Sequence, residues 1–135
     1  MSTDTQLFPG TPTGASHARA WLTDTLNTRS IDGDTADDAA QVTAELAANA
    51  ALHTRSAGDT FGVLLRIGPT RLRIEVTDNG SSTAPVARRT PPEDLENGRG
   101  LDLVAEFSTA WGTRSYPDQR RVVFAELTHD YPTQK

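Results

Sequence analysis

The chain of 135 residues contains no cysteine, which excludes disulfide scaffolds, cysteine-ligated zinc, thiol catalysis and iron–sulfur chemistry. Aromatic residues make up only 6% of it, so we expect a core of Ala, Val, Leu and Ile. It has no apolar run of about 20 residues that could span a bilayer. Its first residues, MSTDTQLFPG, lack the basic and apolar regions of a secretory signal. We therefore expect a cytoplasmic protein that does not act at a membrane.

Basic residues are fewer than acidic ones, 13 against 18, which gives a net charge of −5. Such a balance argues against direct, non-specific binding to nucleic acid. The length favours one domain, 1–135, with a core from about residue 15 to 128.

Apolar residues recur at three- and four-residue steps in two segments, and this spacing predicts two helices. The first starts near Ser16, a possible N-cap, and the second runs from about Asp34 to His53, with Asp34 or Thr35 as its cap. Polar and apolar residues alternate farther along the chain, which predicts strands.

The predicted strands form two hairpins, and Leu7-Phe8 adds a short edge strand. A short helix from Leu101 to Phe107 separates the hairpins. The hairpin strands are expected at 61–67, 71–77, 109–113 and 122–127. This order predicts an α/β two-layer sandwich, with helices on one face of a mainly antiparallel, mixed sheet.

Glu45 and Asn49 lie four positions apart on the second helix, so their side chains share one face. A carboxylate and an amide oxygen are ligands that suit Mg²⁺. The alternative is an ordinary exposed polar pair. Ala and Leu line the rest of this helix, which gives the pair no obviously solvated face.

Two further motifs have a functional and a structural interpretation each. In Asp78-Asn79-Gly80, a carboxylate at a strand end can accept a hydrogen bond from an exocyclic amine, and Gly80 allows a ring to approach. The same triplet is typical of a plain turn. Gly98-Arg99-Gly100 precedes a helix, where backbone N–H groups attract phosphate, or where glycine simply permits a turn.

Taken together, these motifs and their order resemble the ATP-binding domain of the histidine-kinase-like ATPase superfamily, and within it the bacterial anti-sigma-factor serine/threonine kinases. The resemblance extends from about Leu7 to Leu127. The phrases that carry it are Glu45–Ala50, His53–Ser56, Gly98–Leu101, Trp111-Gly112 and Val123–Leu127.

The resemblance implies a role for each matching residue, with ATP and Mg²⁺ as cofactors. Glu45 would be the catalytic base, Asn49 the Mg²⁺ ligand and Asp78 the adenine-binding carboxylate. The remaining residues implied to bind nucleotide are Gly80, His53, Gly98, Arg99, Gly100 and Leu101. The segment 81–97 would be a mobile lid over the nucleotide.

The implied function is regulation of transcription by partner switching. The kinase would bind a sigma factor, phosphorylate a STAS-type antagonist of the anti-sigma factor, and form a homodimer. An alternative is a non-catalytic binding module of the same fold that docks a sigma factor or antagonist with weak or no nucleotide binding. It is motivated by Ser82, where relatives often have glycine, and by Val122, where they commonly have an adenine-binding threonine.

Overall fold

The computed structural model describes residues 2–52, 59–78, 104–118 and 120–129. These ranges contain two helices and five strands, and residues 104–107 add one helical turn. The elements are β1 (Ser2–Pro9), α1 (Pro12–Thr28), α2 (Gly33–Leu52), β2 (Thr60–Ile67), β3 (Arg71–Asp78), β4 (Ala110–Ser115) and β5 (Arg121–Thr128).

The five strands form one sheet in the order β1-β2-β3-β5-β4. Every pairing among them is antiparallel. The two-layer α/β fold class is confirmed. The expected mixture of parallel and antiparallel strands is wrong for the described strands, because the two hairpins, their contact through β3 and β5, and the addition of β1 are all antiparallel.

Helix α1 begins four residues before the predicted Ser16. Thr11 is its N-cap, with a side-chain oxygen that accepts a hydrogen bond from the Gly14 N–H at 3.0 Å. Pro12 then occupies the first helical turn, where a missing N–H costs nothing. A Cβ on Gly14 would collide with the Pro9 carbonyl oxygen, so glycine is what lets α1 start directly against the end of β1.

Helix α2 packs against β2, β3 and β5. It begins at Gly33, whose φ of 68° lies in the left-handed region that glycine tolerates. Its alanines keep the helix close to the sheet, and Val42 and Leu46 are completely or almost completely buried between the two layers. None of the helices in the described ranges is long and apolar enough to cross a membrane.

The strands alternate as expected, with one face against the helices. On β3, Leu72, Ile74 and Val76 are buried in the core, whereas Arg73 and Glu75 lie on the outer face. Arg73 donates to Glu75 at 2.6 Å and to Glu126 of β5 at 2.9 Å. Burial lowers the pKa of Arg73, but its bonds to the two carboxylates outweigh this and raise that pKa above its ordinary value.

The turn before β3 is closed by a buried histidine from the end of β5. The Nε2 atom of His129 lies 2.8 Å from the Gly68 carbonyl oxygen, and the His129 N–H donates to Thr70 at the same distance. His129 is only 5% exposed. Its ring and backbone therefore tie the β2–β3 turn to the last strand of the sheet.

Candidate functional site

The described part of the chain contains three of the site residues expected from the sequence, namely Glu45, Asn49 and Asp78. The remaining expected residues are His53, Gly80, Gly98, Arg99, Gly100 and Leu101, and they lie outside the described residues, as does the expected lid at 81–97.

Glu45 and Asn49 occupy the C-terminal half of α2, one helical turn apart. Glu45 is half-buried and Asn49 is 6% exposed. An ordinary solvated pair would have both side chains in water. The structure therefore disfavours the exposed-pair interpretation, because Asn49 is buried and Glu45 is half-buried on the same face of the helix.

Asp78 is the last residue of β3, and its side chain is on the sheet face that meets the helices. It follows Leu72, Ile74 and Val76 in the alternation and is 2% exposed. Thr77, next to it, pairs with Gly62 near the start of β2. Since the C-terminal end of α2 leads into β2, the topology places Asn49 and Asp78 toward the same end of the layer between helices and sheet.

Arg121 is a site residue that the sequence did not reveal. It is directly opposite Asp78 in the register of β3 and β5, and its Nη2 donates to the Asp78 Oδ2 at 3.1 Å. The Arg121 side chain is 12% exposed and that of Asp78 1%. Val123, Ala125 and Leu127 face the core, so continuing their alternation back by two positions would have placed Arg121 on the same face.

The same register shows where Val122 lies relative to Asp78. The resemblance puts Val122 about where relatives commonly have an adenine-binding threonine. In the structure Val122 pairs with Thr77 and belongs to the sheet face away from the helices, one position out of phase with Asp78. The residue that adjoins the Asp78 carboxylate is Arg121.

The ion pair between Arg121 and Asp78 has only one contact. By comparison, the Arg29 Nη2 lies 3.0 Å from both carboxylate oxygens of Asp4, and that pair is far more exposed. The Nε of Arg121 is buried and has no hydrogen-bond acceptor among the described residues. The most buried ion pair in the described ranges is therefore one whose guanidinium is incompletely satisfied.

The residues that could hold a metal ion suit magnesium rather than a fully protein-ligated metal. Within the described ranges no group of three His, Asp or Glu side chains gathers around a common point. Mg²⁺ is usually held by one or two protein oxygens together with substrate phosphates and water. A buried amide such as that of Asn49 fits this pattern, and the Asp78 carboxylate fits recognition of an amine.

Comparison with known proteins agrees with this architecture. The sequence model of the histidine kinase-like ATPase domain matches residues 8–125. The fold is similar to a chain in the crystal structure of the SiaB–SiaC complex from Pseudomonas aeruginosa, with a TM-score of 0.64 and 13% identity. That similarity covers 93% of this chain and 89% of the other. No curated protein matches the sequence.

Proposed function

Because the chain belongs to the histidine kinase-like ATPase domain family, we propose that it binds ATP with Mg²⁺ and phosphorylates a serine or threonine of a partner protein. The observation that carries the proposal is the face of α2 on which Glu45 is half-buried beside Asn49, itself 6% exposed. A carboxylate placed one turn from a buried amide gives a base next to a metal ligand.

Bound ATP supplies the phosphoryl group, and Mg²⁺ neutralises charge on its phosphates. The chain's own residues would do the positioning. Asn49 would offer its amide oxygen to the metal, and Asp78 would accept a hydrogen bond from the adenine amine. Glu45 would orient the attacking hydroxyl and accept its proton, a role that requires a carboxylate within hydrogen-bond reach of the substrate.

We propose further that the substrate is a STAS-type antagonist and that the same protein binds a sigma factor, as a homodimer. The motif resemblance supports this assignment. The similar fold in a two-protein complex supports a protein rather than a small molecule as the second substrate. The net charge of −5 suits a basic, DNA-binding partner such as a sigma factor.

The test is phosphotransfer from radiolabelled ATP to the STAS-domain proteins of the same organism, each purified and assayed separately. We expect phosphoserine or phosphothreonine in one of them. Glu45→Ala should abolish the transfer and leave calorimetric ATP binding in place, because the base does not hold the nucleotide. The Asn49→Ala variant should lose both phosphotransfer and ATP binding, because Asn49 is the proposed ligand of the Mg²⁺ that accompanies ATP.

The matched control is Asp37→Ala, which removes an exposed carboxylate from the same helix. It should leave phosphotransfer and ATP binding at wild-type levels. Transfer that survives Glu45→Ala would refute the role of Glu45 as base, and transfer lost equally in Asp37→Ala would point to damage to α2 instead.

The second candidate function is a non-catalytic module that docks the sigma factor or the antagonist. One structural observation favours it: the Asp78 carboxylate, needed for the adenine amine, already accepts a hydrogen bond from Arg121. Calorimetry with Mg·ATP separates the two functions. Saturable binding supports the kinase, and its absence up to millimolar nucleotide supports the module.

A further inference from the structure

On the proposed function, two donors would meet the carboxylate of Asp78 at the end of β3. The Asp78 carboxylate would accept from the adenine amine, and it already accepts from the Arg121 guanidinium at 3.1 Å. Asp78 is 1% exposed in its side chain, so water cannot easily replace either donor. A nucleotide whose amine uses Oδ2, the oxygen that Arg121 occupies, must therefore displace Arg121.

The geometry of the pair favours exchange over a permanent bond. Arginine forms its strongest pairs with carboxylates through two parallel N–H···O bonds. Arg121 makes one contact, and its buried Nε has no acceptor in the described part of the chain. The guanidinium of Arg121 has therefore lost water without the full compensation that a forked pair would give.

We propose that Arg121 is an internal competitor of the nucleobase. In the free protein it occupies Oδ2 of the carboxylate that recognises the purine amine, and in the bound protein it gives that oxygen up. This inference rests on the proposed nucleotide site, and it goes beyond it by assigning Arg121 the role of setting affinity and base preference there.

The pair of variants Arg121→Thr and Val122→Thr tests the assignment by calorimetry with Mg·ATP. The two residues are adjacent on β5 and lie on opposite faces of the sheet. Arg121→Thr should bind ATP about tenfold more tightly than wild type, the factor that corresponds to one hydrogen bond of ~1.4 kcal/mol. Val122→Thr should bind like wild type.

Inosine triphosphate provides a second probe, because it carries a carbonyl where ATP carries the amine. It cannot donate from that position to Asp78, so it does not compete with Arg121 there. Arg121→Thr should therefore raise the affinity for ATP relative to that for inosine triphosphate by about the same tenfold factor. An equal gain for both nucleotides would overturn competition for the amine.

Arg121→Thr leaves the Asp78 carboxylate without its cation, so its folding is checked by circular dichroism. Arg121→Gln supplies a neutral donor of similar length and should give a smaller gain in ATP affinity. In ¹⁵N-labelled wild type, the Arg121 Nε–H signal, assigned by its loss in Arg121→Gln, should shift when Mg·ATP saturates the protein. A signal that does not move overturns the proposal.

The outcomes separate this inference from the function beneath it. ATP binding that is equal or weaker in Arg121→Thr overturns the competitor role and leaves the nucleotide site intact. If the wild type does not bind ATP and Arg121→Thr does, the inference is supported. Absence of any nucleotide binding in wild type and in both folded Arg121 variants refutes the proposed function and this inference together.

Discussion

The two ends of strand β3 both carry buried polar groups, but of different kinds. At the beginning, His129 contacts the Gly68 carbonyl and closes a turn. At the far end, the Asp78 carboxylate forms an ion pair with the guanidinium of Arg121. The Gly68 carbonyl belongs to the backbone of the turn, so this contact fixes the turn and is not suited to exchange with a ligand. A carboxylate paired with a side-chain cation can change partners, which makes that end the one suited to binding.

Among the variants that compare the two ends of β3, Asp78→Ala is expected to cause the largest loss of stability. It leaves the guanidinium of Arg121, only 12% exposed, without a counter-charge. Loss of one member of a buried pair should lower the free energy of unfolding by about 3 kcal/mol. Urea denaturation at neutral pH measures the change.

The matched control for this prediction is Asp4→Ala. Asp4 pairs with Arg29 through two contacts, but the side chains are 28% and 40% exposed. Its loss should cost less than about 1 kcal/mol although Arg29 Nη2 contacts both carboxylate oxygens, because the surface pair is solvated. Equal losses from the two variants would show that burial does not distinguish them.

The next largest effect is expected from His129→Ala, at the opposite end of the same strand. It leaves the buried Gly68 carbonyl without the ring and opens a small cavity, so we expect a loss of about 2 kcal/mol in the free energy of unfolding. ATP affinity should not change, since the eight residues of β3 separate the ends by roughly 24 Å. Urea denaturation measures the loss of stability, and calorimetry measures the ATP affinity. Weakened ATP binding would contradict the assignment of stability to one end of β3 and of binding to the other.

The smallest effect is expected midway along β3, on the outer face. Arg73→Ala removes the bonds to Glu75 and Glu126 from a side chain that is 22% exposed. The loss should be about 1 kcal/mol and should shrink in 1 M salt, because solvent reaches this network. Arg71→Ala, at a residue 67% exposed and 3.7 Å from Glu126, is the control and should show no measurable loss. If 1 M salt does not reduce the loss of stability from Arg73→Ala, the ion pairs of Arg73 with Glu75 and Glu126 behave like the buried pair of Asp78 and Arg121.

Much of the fold could be predicted because local patterns determine it. Alternation identified β2 and β3 within one residue of their observed bounds, and the apolar period of α2 placed Glu45 and Asn49 on one face. The start of α1 was wrong because Thr11 and Ser16 are both chemically suitable caps. In the structure Gly14 lies against the end of β1, where a Cβ would collide with Pro9, and this contact cannot be read from local sequence.

The candidate site was predicted less completely, for a reason that lies in strand pairing. Which residue of β5 adjoins Asp78 depends on the register between two strands that are far apart in sequence. A shift of one position exchanges the faces of the sheet. The resemblance could only match Val122 with a threonine of relatives, whereas the pairing of Asp78 with Arg121 puts a cation beside the carboxylate.

The position of β1 has a consequence for how the chain folds. Phe8 pairs with Phe61, so this pairing closes a long loop that contains both helices. The β2–β3 hairpin, by contrast, needs a turn of three residues, 68–70. Contacts that close long loops form later than local ones. We therefore expect β1, the first of the five strands in chain order, to be among the last to pair.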